Sequence, residues 1–378
     1  MKIVGLITEY NPFHNGHIYH IQEAKKITNA DVVVVIMSGN FVQRGEPAIV
    51  DKWQRTEAAL KNGVDLIFEL PFFYAVQPSH IFADGAIKLL ADLKIDSLVF
   101  GSEHPEIDFI ELAKQAPEIT GEKNFKYNQT FASQYAEKLF EKTGFKLEDP
   151  NDILAFGYAG AIVANDLEEQ ITLHSIQRNG ADYHDENTSN ESIASATAIR
   201  KLVAENAEFQ QFTPMNNLAI NDYKTNYWQL LNYRLSTDNI GQLRQIYQMS
   251  EGFENNLKSI VEKNKTDSLD SFIENAKSKH ITYARLQRIL TYTLMNIKVD
   301  QMQEAMQEPY LRLLGYNQTG QNYLNVIKKE IKHPLITHVD LATAKKQLRI
   351  DYRAGVLFNQ IYNLSQPQDI SRIPIDLQ

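Results

Sequence analysis

Val32, Val33, Val34, Val35, Ile36 and Met37 are six aliphatic residues in a row, and this run constrains the fold more than any other feature of the chain. A strand that is apolar at every position has no face to show to water, so it belongs in a sheet covered by helices on both sides. Around it, short β-branched runs alternate with amphipathic stretches through the first two hundred residues. The pattern predicts strands over 2–8, 31–38, 65–70, 97–100 and 170–176, and helices over 17–27, 51–62, 80–93, 128–142 and 152–164. Strands and helices in alternation predict an α/β fold with a parallel sheet. After about residue 212 the strand signal nearly vanishes and helical stripes take over, as at Leu286, Ile289, Leu290 and Leu294. Pro214, Asn216 and Asn217 mark a boundary. The expected organisation is therefore an α/β domain over 1–212 followed by an α-helical domain over 213–378.

Six residues fall far short of the roughly 18 needed to span a bilayer, and the N-terminus carries no basic segment followed by an apolar core. With no cysteine in 378 residues there is no disulfide, thiolate nucleophile or Cys-bound zinc. A cytoplasmic protein with no membrane association is expected. The net charge of −9 argues against indiscriminate nucleic-acid binding, which depends on neutralising phosphates. It leaves room for a local basic face. Lys328, Lys329, Lys332, Lys345, Lys346 and Arg349 crowd one stretch of the tail and form a candidate basic patch.

The chemistry concentrates where the first strand passes into the first helix, at Gly5-Leu6-Ile7-Thr8-Glu9-Tyr10-Asn11-Pro12-Phe13-His14-Asn15-Gly16-His17. A helix N-terminus offers unpaired N–H groups and the positive end of the helix dipole, which suits a phosphate. Gly16 permits close backbone approach, and two imidazoles three residues apart share one side of the first turn. Such a pair can donate to a phosphoryl group as it gains charge. His14, His17 and His20 wind partly around the helix with no carboxylates to complete a cluster, so no protein-bound metal is expected. A second constellation, Ser192-Ile193-Ala194-Ser195-Ala196-Thr197-Ala198-Ile199-Arg200, offers hydroxyls at a helix start and an arginine one turn on.

His14-Asn15-Gly16-His17 resembles the HxGH signature of the nucleotidyltransferase superfamily, which includes the class I aminoacyl-tRNA synthetases. Ser195, Thr197 and Arg200 resemble its second signature, ISSTxxR, with Ala194 and Ala196 in place of more polar residues. Further blocks bring the chain close to one family, the bacterial tRNA(Met) cytidine acetate ligases: Met37-Ser38-Gly39-Asn40-Phe41-Val42-Gln43-Arg44-Gly45-Glu46-Pro47, Asp65-Leu66-Ile67-Phe68-Glu69-Leu70-Pro71, Phe100-Gly101-Ser102-Glu103, Asn151-Asp152-Ile153-Leu154 and Gln177-Arg178-Asn179-Gly180-Ala181-Asp182-Tyr183-His184. The resemblance implies a Rossmann-like HUP-type nucleotidyltransferase domain. It also implies a two-step reaction in which acetate attacks the α-phosphate of ATP, and the acetyl group then passes to N4 of the wobble cytidine of elongator tRNA(Met). Mg²⁺ is expected as the companion of ATP.

On the family's pattern Ile7, Thr8, Asn11, His14, Gly16, His17, His20, Gly101, Asn151, Arg178, Ser195 and Thr197 bind ATP. His14, His17 and Arg200 are the expected catalytic groups. Arg44 and Lys52, which bracket a Gly-containing loop and the next helix start, are expected to face substrate or tRNA, and Lys328, Lys329, Lys332, Lys345, Lys346 and Arg349 are the expected tRNA contacts of the tail. Gly39 and Gly45 suggest that the 38–47 loop moves over the site and excludes water. Two other readings stand beside this one. An adenylyltransferase acting on a small phosphorylated metabolite has less use for the long helical tail, and a non-catalytic RNA-binding scaffold has less use for His14, Gly16 and His17 together.

Overall fold

The computed structural model describes residues 1–116, 131–177, 192–215, 218, 223–263, 266–278 and 281–378. Its first part follows the alternation of the sequence: β1 (Ile3–Thr8), α1 (Asn15–Thr28), β2 (Val32–Ser38), α2 (Lys52–Lys61), β3 (Leu66–Leu70), α3 (Phe72–Ala75), α4 (Ser79–Asp92), β4 (Ser97–Ser102), α5 (Phe109–Gln115), α6 (Phe131–Thr143), α7 (Pro150–Ala164), β5 (Thr172–Gln177) and α8 (Ala196–Ala204). The second part is mostly helical: α9 (Tyr223–Thr237), α10 (Ile240–Arg244), α11 (Phe253–Glu262), α12 (Leu269–Ala276), α13 (Tyr283–Leu294) and α14 (Val299–Gln307). It then turns through β6 (Leu311–Asn317), α15 (Gln318–Ile327), β7 (Leu335–Ile336), α16 (Leu341–Lys345), α17 (Arg349–Tyr362) and β8 (Ile375–Leu377).

One sheet runs β5-β4-β1-β2-β3-β6-β7, with β8 on β6; β1 to β5 are parallel and β6 is antiparallel to β3. The β2 run fulfils its constraint by alternation. Val32, Val34 and Ile36 join the core on the α4 and α7 face, while Val33, Val35 and Met37 join the one beneath α1, α2 and α8.

The tail is not purely helical. β6 extends the first part's sheet across the boundary drawn at 212/213, for reasons that short-range pattern does not reveal. Leu311-Arg312-Leu313-Leu314-Gly315 contains no β-branched residue, and Arg312 interrupts its apolar character. Tertiary pairing with β3 overrides both signals. Arg312 is buried there against Glu69 at 3.0 Å and Asp369, and those two carboxylates also hold Lys52 at 2.9 and 2.7 Å. Among the described residues, no helix is long and apolar enough to cross a membrane.

Asp351, on α17, is buried beside this network and accepts from Phe72 N–H at 2.9 Å and from the Tyr310 hydroxyl. Burial and the charge of Glu69 push its carboxyl up to about 7. An unfolded aspartate titrates near 4, so between about pH 4 and 7 the folded chain keeps a proton that the unfolded chain has released. Stability from this group therefore falls as pH rises across that window, by up to about 1.4 kcal/mol per pH unit. Asp351→Asn is expected to remove this component, so that the gain in Tm from pH 7 to pH 5 is smaller than for the wild type. Equal gains in thermal scans of the two proteins would contradict it.

Candidate active site

The strand order reverses between β1 and β4, because β2 and β3 lie to one side of β1 while β4 and β5 lie to the other. In open α/β sheets ligands bind in the crevice beyond the carboxyl ends of the strands at such a point. Residues 9–14 leave β1 there, and Gly101, Ser102, Glu103 and His104 lie at the matching end of β4. Ile7 and Thr8 are the last residues of β1, directly before the loop.

His14 caps α1. Its Nδ1 accepts the Gly16 N–H at 3.1 Å, and Nδ1 of His17 accepts the His14 N–H at 3.1 Å. The two rings stack with centroids 3.7 Å apart, and Tyr10 meets the His17 ring edge-on at 4.7 Å. A ring nitrogen that accepts a backbone N–H carries no proton, so each neutral imidazole holds its proton on Nε2. The caps thus fix two N–H donors side by side at a helix N-terminus. Gly16 must lack a side chain: an added Cβ would lie 2.9 Å from Cε1 of His14. His20 sits further along α1, where its Nε2 donates to the Val99 carbonyl of β4 at 3.2 Å, a contact that docks the helix on the sheet.

The second constellation is brought to the first. Asn15 donates to the carbonyls of Ser192 and Gln211, each at 2.8 Å. Ser195 caps α8, accepting from Ala198 N–H at 3.1 Å. Arg200 donates to the Asn11 carbonyl at 2.7 Å and to the Thr197 hydroxyl at 3.0 Å, while Oδ1 of Asn11 accepts Ile49 N–H at 2.8 Å. His14, Gly16, His17, Thr197 and Arg200 therefore meet at one mouth although almost two hundred residues separate them in sequence.

On the β4 side, buried Asp152 accepts from the Ser102 hydroxyl at 2.6 Å and the Glu103 N–H at 3.0 Å, and pairs with His104 Nδ1 at 2.6 Å. Burial works against the ionised form of Asp152, but these donors outweigh it and hold the carboxyl below its ordinary range. The same hydrogen bond raises His104. Asn151, at the start of α7, donates to the Glu103 carboxylate. His104, Asp149 and Asp152 bring donor atoms within 4.8 Å of one another, but Nδ1 of His104 is taken by Asp152, so the group reads as a hydrogen-bonded dyad. Arg178 lies outside the described residues.

The 38–47 loop, expected to move over the site, is held at several points in this structure. Gln43 N–H donates to Glu9 at 2.8 Å, Gln43 Nε2 donates to the Gln77 carbonyl at 2.9 Å, and Thr291 donates to the Gly45 carbonyl at 2.5 Å. Gly45 has φ +90°, and an added Cβ would lie 2.8 Å from Cα of Arg288, so the loop is seated on α13. Arg55, which sequence reasoning missed, completes the clamp. Fully buried, it donates to the carbonyls of Val50 at 2.9 Å, Glu9 at 2.6 Å, Ser38 at 2.9 Å and Gly39, tying the loop after β1 to the loop after β2. Burial pulls its guanidinium down to about 10, still charged at neutral pH. Glu9 itself is raised by burial, against the Gln43 N–H and the charges of Arg200, Arg44 and Arg55.

The expected RNA contacts divide. Lys52 is corrected: it is 1% exposed within the Glu69–Asp369–Arg312 network and faces no solvent. Lys328, Lys329 and Lys332 are exposed at the other end of the sheet from the motif, where Lys332 N–H donates to Asp92 and the Tyr323 hydroxyl donates to Leu93, at the end of α4. Lys345 and Lys346 are exposed before α17, and Arg349 pairs with Glu304 at 2.7 Å. Arg44 is exposed next to the crevice.

The profile of the HIGH Nucleotidyl Transferase family matches residues 1–372. A tRNA(Met) cytidine acetate ligase of Leuconostoc mesenteroides is 56% identical, with 99% of each chain covered. One from Oenococcus oeni is 55% identical over 99% of this chain and 100% of its own. Among solved structures, apo Thermotoga maritima TmcAL superposes with a TM-score of 0.87 at 29% identity, each chain covered fully. The same protein bound with alpha-thio ATP gives 0.84, again over the whole of both chains.

Proposed function

The chain belongs to the HIGH nucleotidyl transferase family and, within it, to the tRNA(Met) cytidine acetate ligases, and from that membership we infer how its crevice works. The enzyme is an ATP-dependent ligase that activates acetate as acetyl-adenylate, releases pyrophosphate, and transfers the acetyl group to N4 of the wobble cytidine of elongator tRNA(Met). The observation that carries the chemical reading is the pair of Nε2–H donors of His14 and His17, fixed by the α1 cap at the strand-order reversal. Mg²⁺ enters with ATP as part of that substrate, and the protein is assigned to the cytoplasm.

Acetate is ionised at neutral pH, so its attack on the α-phosphorus needs no general base. Positioning and stabilisation of developing phosphoryl charge supply the catalysis. In the reading proposed here His14 and His17 donate to the phosphates, and Arg200, oriented by Asn11 and Thr197, neutralises the departing pyrophosphate. Ile7, Thr8, Gly16, Gly101, Asn151 and Ser195 line the nucleotide, and His20 holds the helix that carries the motif. In the second step N4 bonds to the acetyl carbon, the bond to AMP oxygen breaks, and the amine proton leaves.

Incubation with ATP, labelled acetate and bulk bacterial tRNA, followed by digestion to nucleosides, is expected to place label in N4-acetylcytidine. Pyrophosphate release that demands a phosphorylated metabolite, with no label in RNA, would favour adenylyl transfer to that metabolite. RNA binding without ATP consumption would favour a non-catalytic scaffold.

A further inference from the structure

Three arginines flank the contact of the 38–47 loop with α13, and none has a carboxylate within 4.0 Å among the described residues: Arg44 beside Gly45, which packs on the Arg288 backbone, and Arg285 and Arg288 on the helix. Arg288 is the telling member. It is only 6% exposed, and its Nε is buried with no hydrogen-bond partner. Burial and the charge of Arg285 both lower its guanidinium from the usual range. Arg285 makes one long hydrogen bond among the described residues, 3.3 Å from Nη2 to the Gln248 carbonyl. The acid of the loop, Glu46, is turned to Gln287, whose Nε2 donates to it at 2.6 Å. His80, lowered by partial enclosure and by Arg288, adds a neutral donor on the same side.

A buried cation without a counter-charge is costly, and Arg285 adds repulsion to Arg288, so the arrangement calls for an anion. Guanidinium forks suit phosphate oxygens in bidentate geometry. The cluster also borders the crevice: Gln43, next to Arg44, donates to Glu9 of the motif loop, and Glu9 feels both Arg44 and Arg200. The Arg44 end of the cluster therefore lies beside the loop that leaves β1.

We propose that Arg44, Arg285 and Arg288 form a phosphate-binding site that seats the backbone of the tRNA anticodon arm beside the adenylation crevice. This rests on the ligase reading and adds to it the surface that orients the RNA. It replaces Lys52, which is buried, and Lys328, Lys329 and Lys332, which lie at the opposite end of the sheet. Phosphate contacts of this kind fix orientation and carry no base information.

The phosphates of ATP share the same chemistry, so the test separates the two sources. Binding of fluorescently labelled tRNA by full-length Arg44→Gln and Arg285→Gln is measured against salt, alongside the KM for ATP in acetate-dependent pyrophosphate exchange. Each variant is expected to weaken tRNA binding about ten-fold and to lower the slope of log K on log salt by about one, with the KM for ATP within about two-fold of wild type. Arg288→Lys, which keeps the charge and loses the fork, is expected to weaken tRNA binding while its Tm stays close to wild type. Wild-type tRNA affinity and slope in Arg285→Gln would overturn the proposal, as would a rise in the KM for ATP in place of the tRNA effect. If the wild type binds tRNA and the variants do not, yet no N4-acetylcytidine forms, the phosphate site stands and the ligase reading falls.

Discussion

His17→Ala is expected to slow acetate-dependent ATP–pyrophosphate exchange about a hundred- to a thousand-fold, the usual loss when one preorganised donor to a developing anion is removed. The cause lies in the cap. Nδ1 of His17 accepts the His14 N–H at 3.1 Å, which puts the ring proton on Nε2, the donor proposed for the phosphates. Alanine removes that donor and also the acceptor that completes the α1 cap, worth about 1 kcal/mol of stability. His17→Asn separates the two effects, because its amide oxygen can take the His14 N–H while the Nε2 donor is still missing. Exchange is expected to stay low in His17→Asn with Tm restored. Near-wild-type exchange in His17→Asn would mean that the imidazole acts only through the cap.

Lys52→Met is expected to destabilise the protein by about 3–5 kcal/mol, the range for removing one partner from a buried charge network. Lys52 donates to Glu69 and Asp369, both almost fully buried, and Arg312 alone cannot satisfy the two carboxylates in its absence. Asp369 is disfavoured as an anion by burial and held ionised by Lys52 and Arg312, so losing one of them exposes that cost. The network joins α2, β3, β6 and the segment after α17, which means that the damage is to the union of the first part and the tail. Thermal scans read the loss directly. Salt dependence of tRNA binding should be unchanged, since Lys52 is inside the protein; a shallower slope with unaltered Tm would return Lys52 to the RNA surface.

The sheet's first part was legible because its signals are local. Val32 to Val35, Ile36 and Met37 demand burial on both faces, and His14-Asn15-Gly16-His17 sits between a strand and a helix whose boundaries can be read from pattern. What escaped depends on contacts made far along the chain. Arg312 looks polar in sequence and becomes a strand residue only because Asp369 and Glu69 surround it. Arg55 has no motif around it, and its role comes from carbonyls of Glu9, Ser38 and Gly39 that the fold gathers. The basic run at Lys328, Lys329 and Lys332 is exposed, and its position beside the end of α4 depends on connectivity that a charge pattern does not reveal. Arg285 and Arg288 punctuate an ordinary amphipathic helix in sequence, and only in three dimensions does it show that Arg288 is buried with its Nε unpartnered and that neither has a carboxylate within 4.0 Å among the described residues.

The central claim is that the crevice between β1 and β4 activates acetate on ATP. Its most direct measurement is the exchange of labelled pyrophosphate into ATP by the purified protein, with and without acetate and in the absence of RNA. Exchange that requires acetate and is lost in His17→Ala is the predicted result. Exchange that ignores acetate and responds to a phosphorylated metabolite would contradict the account.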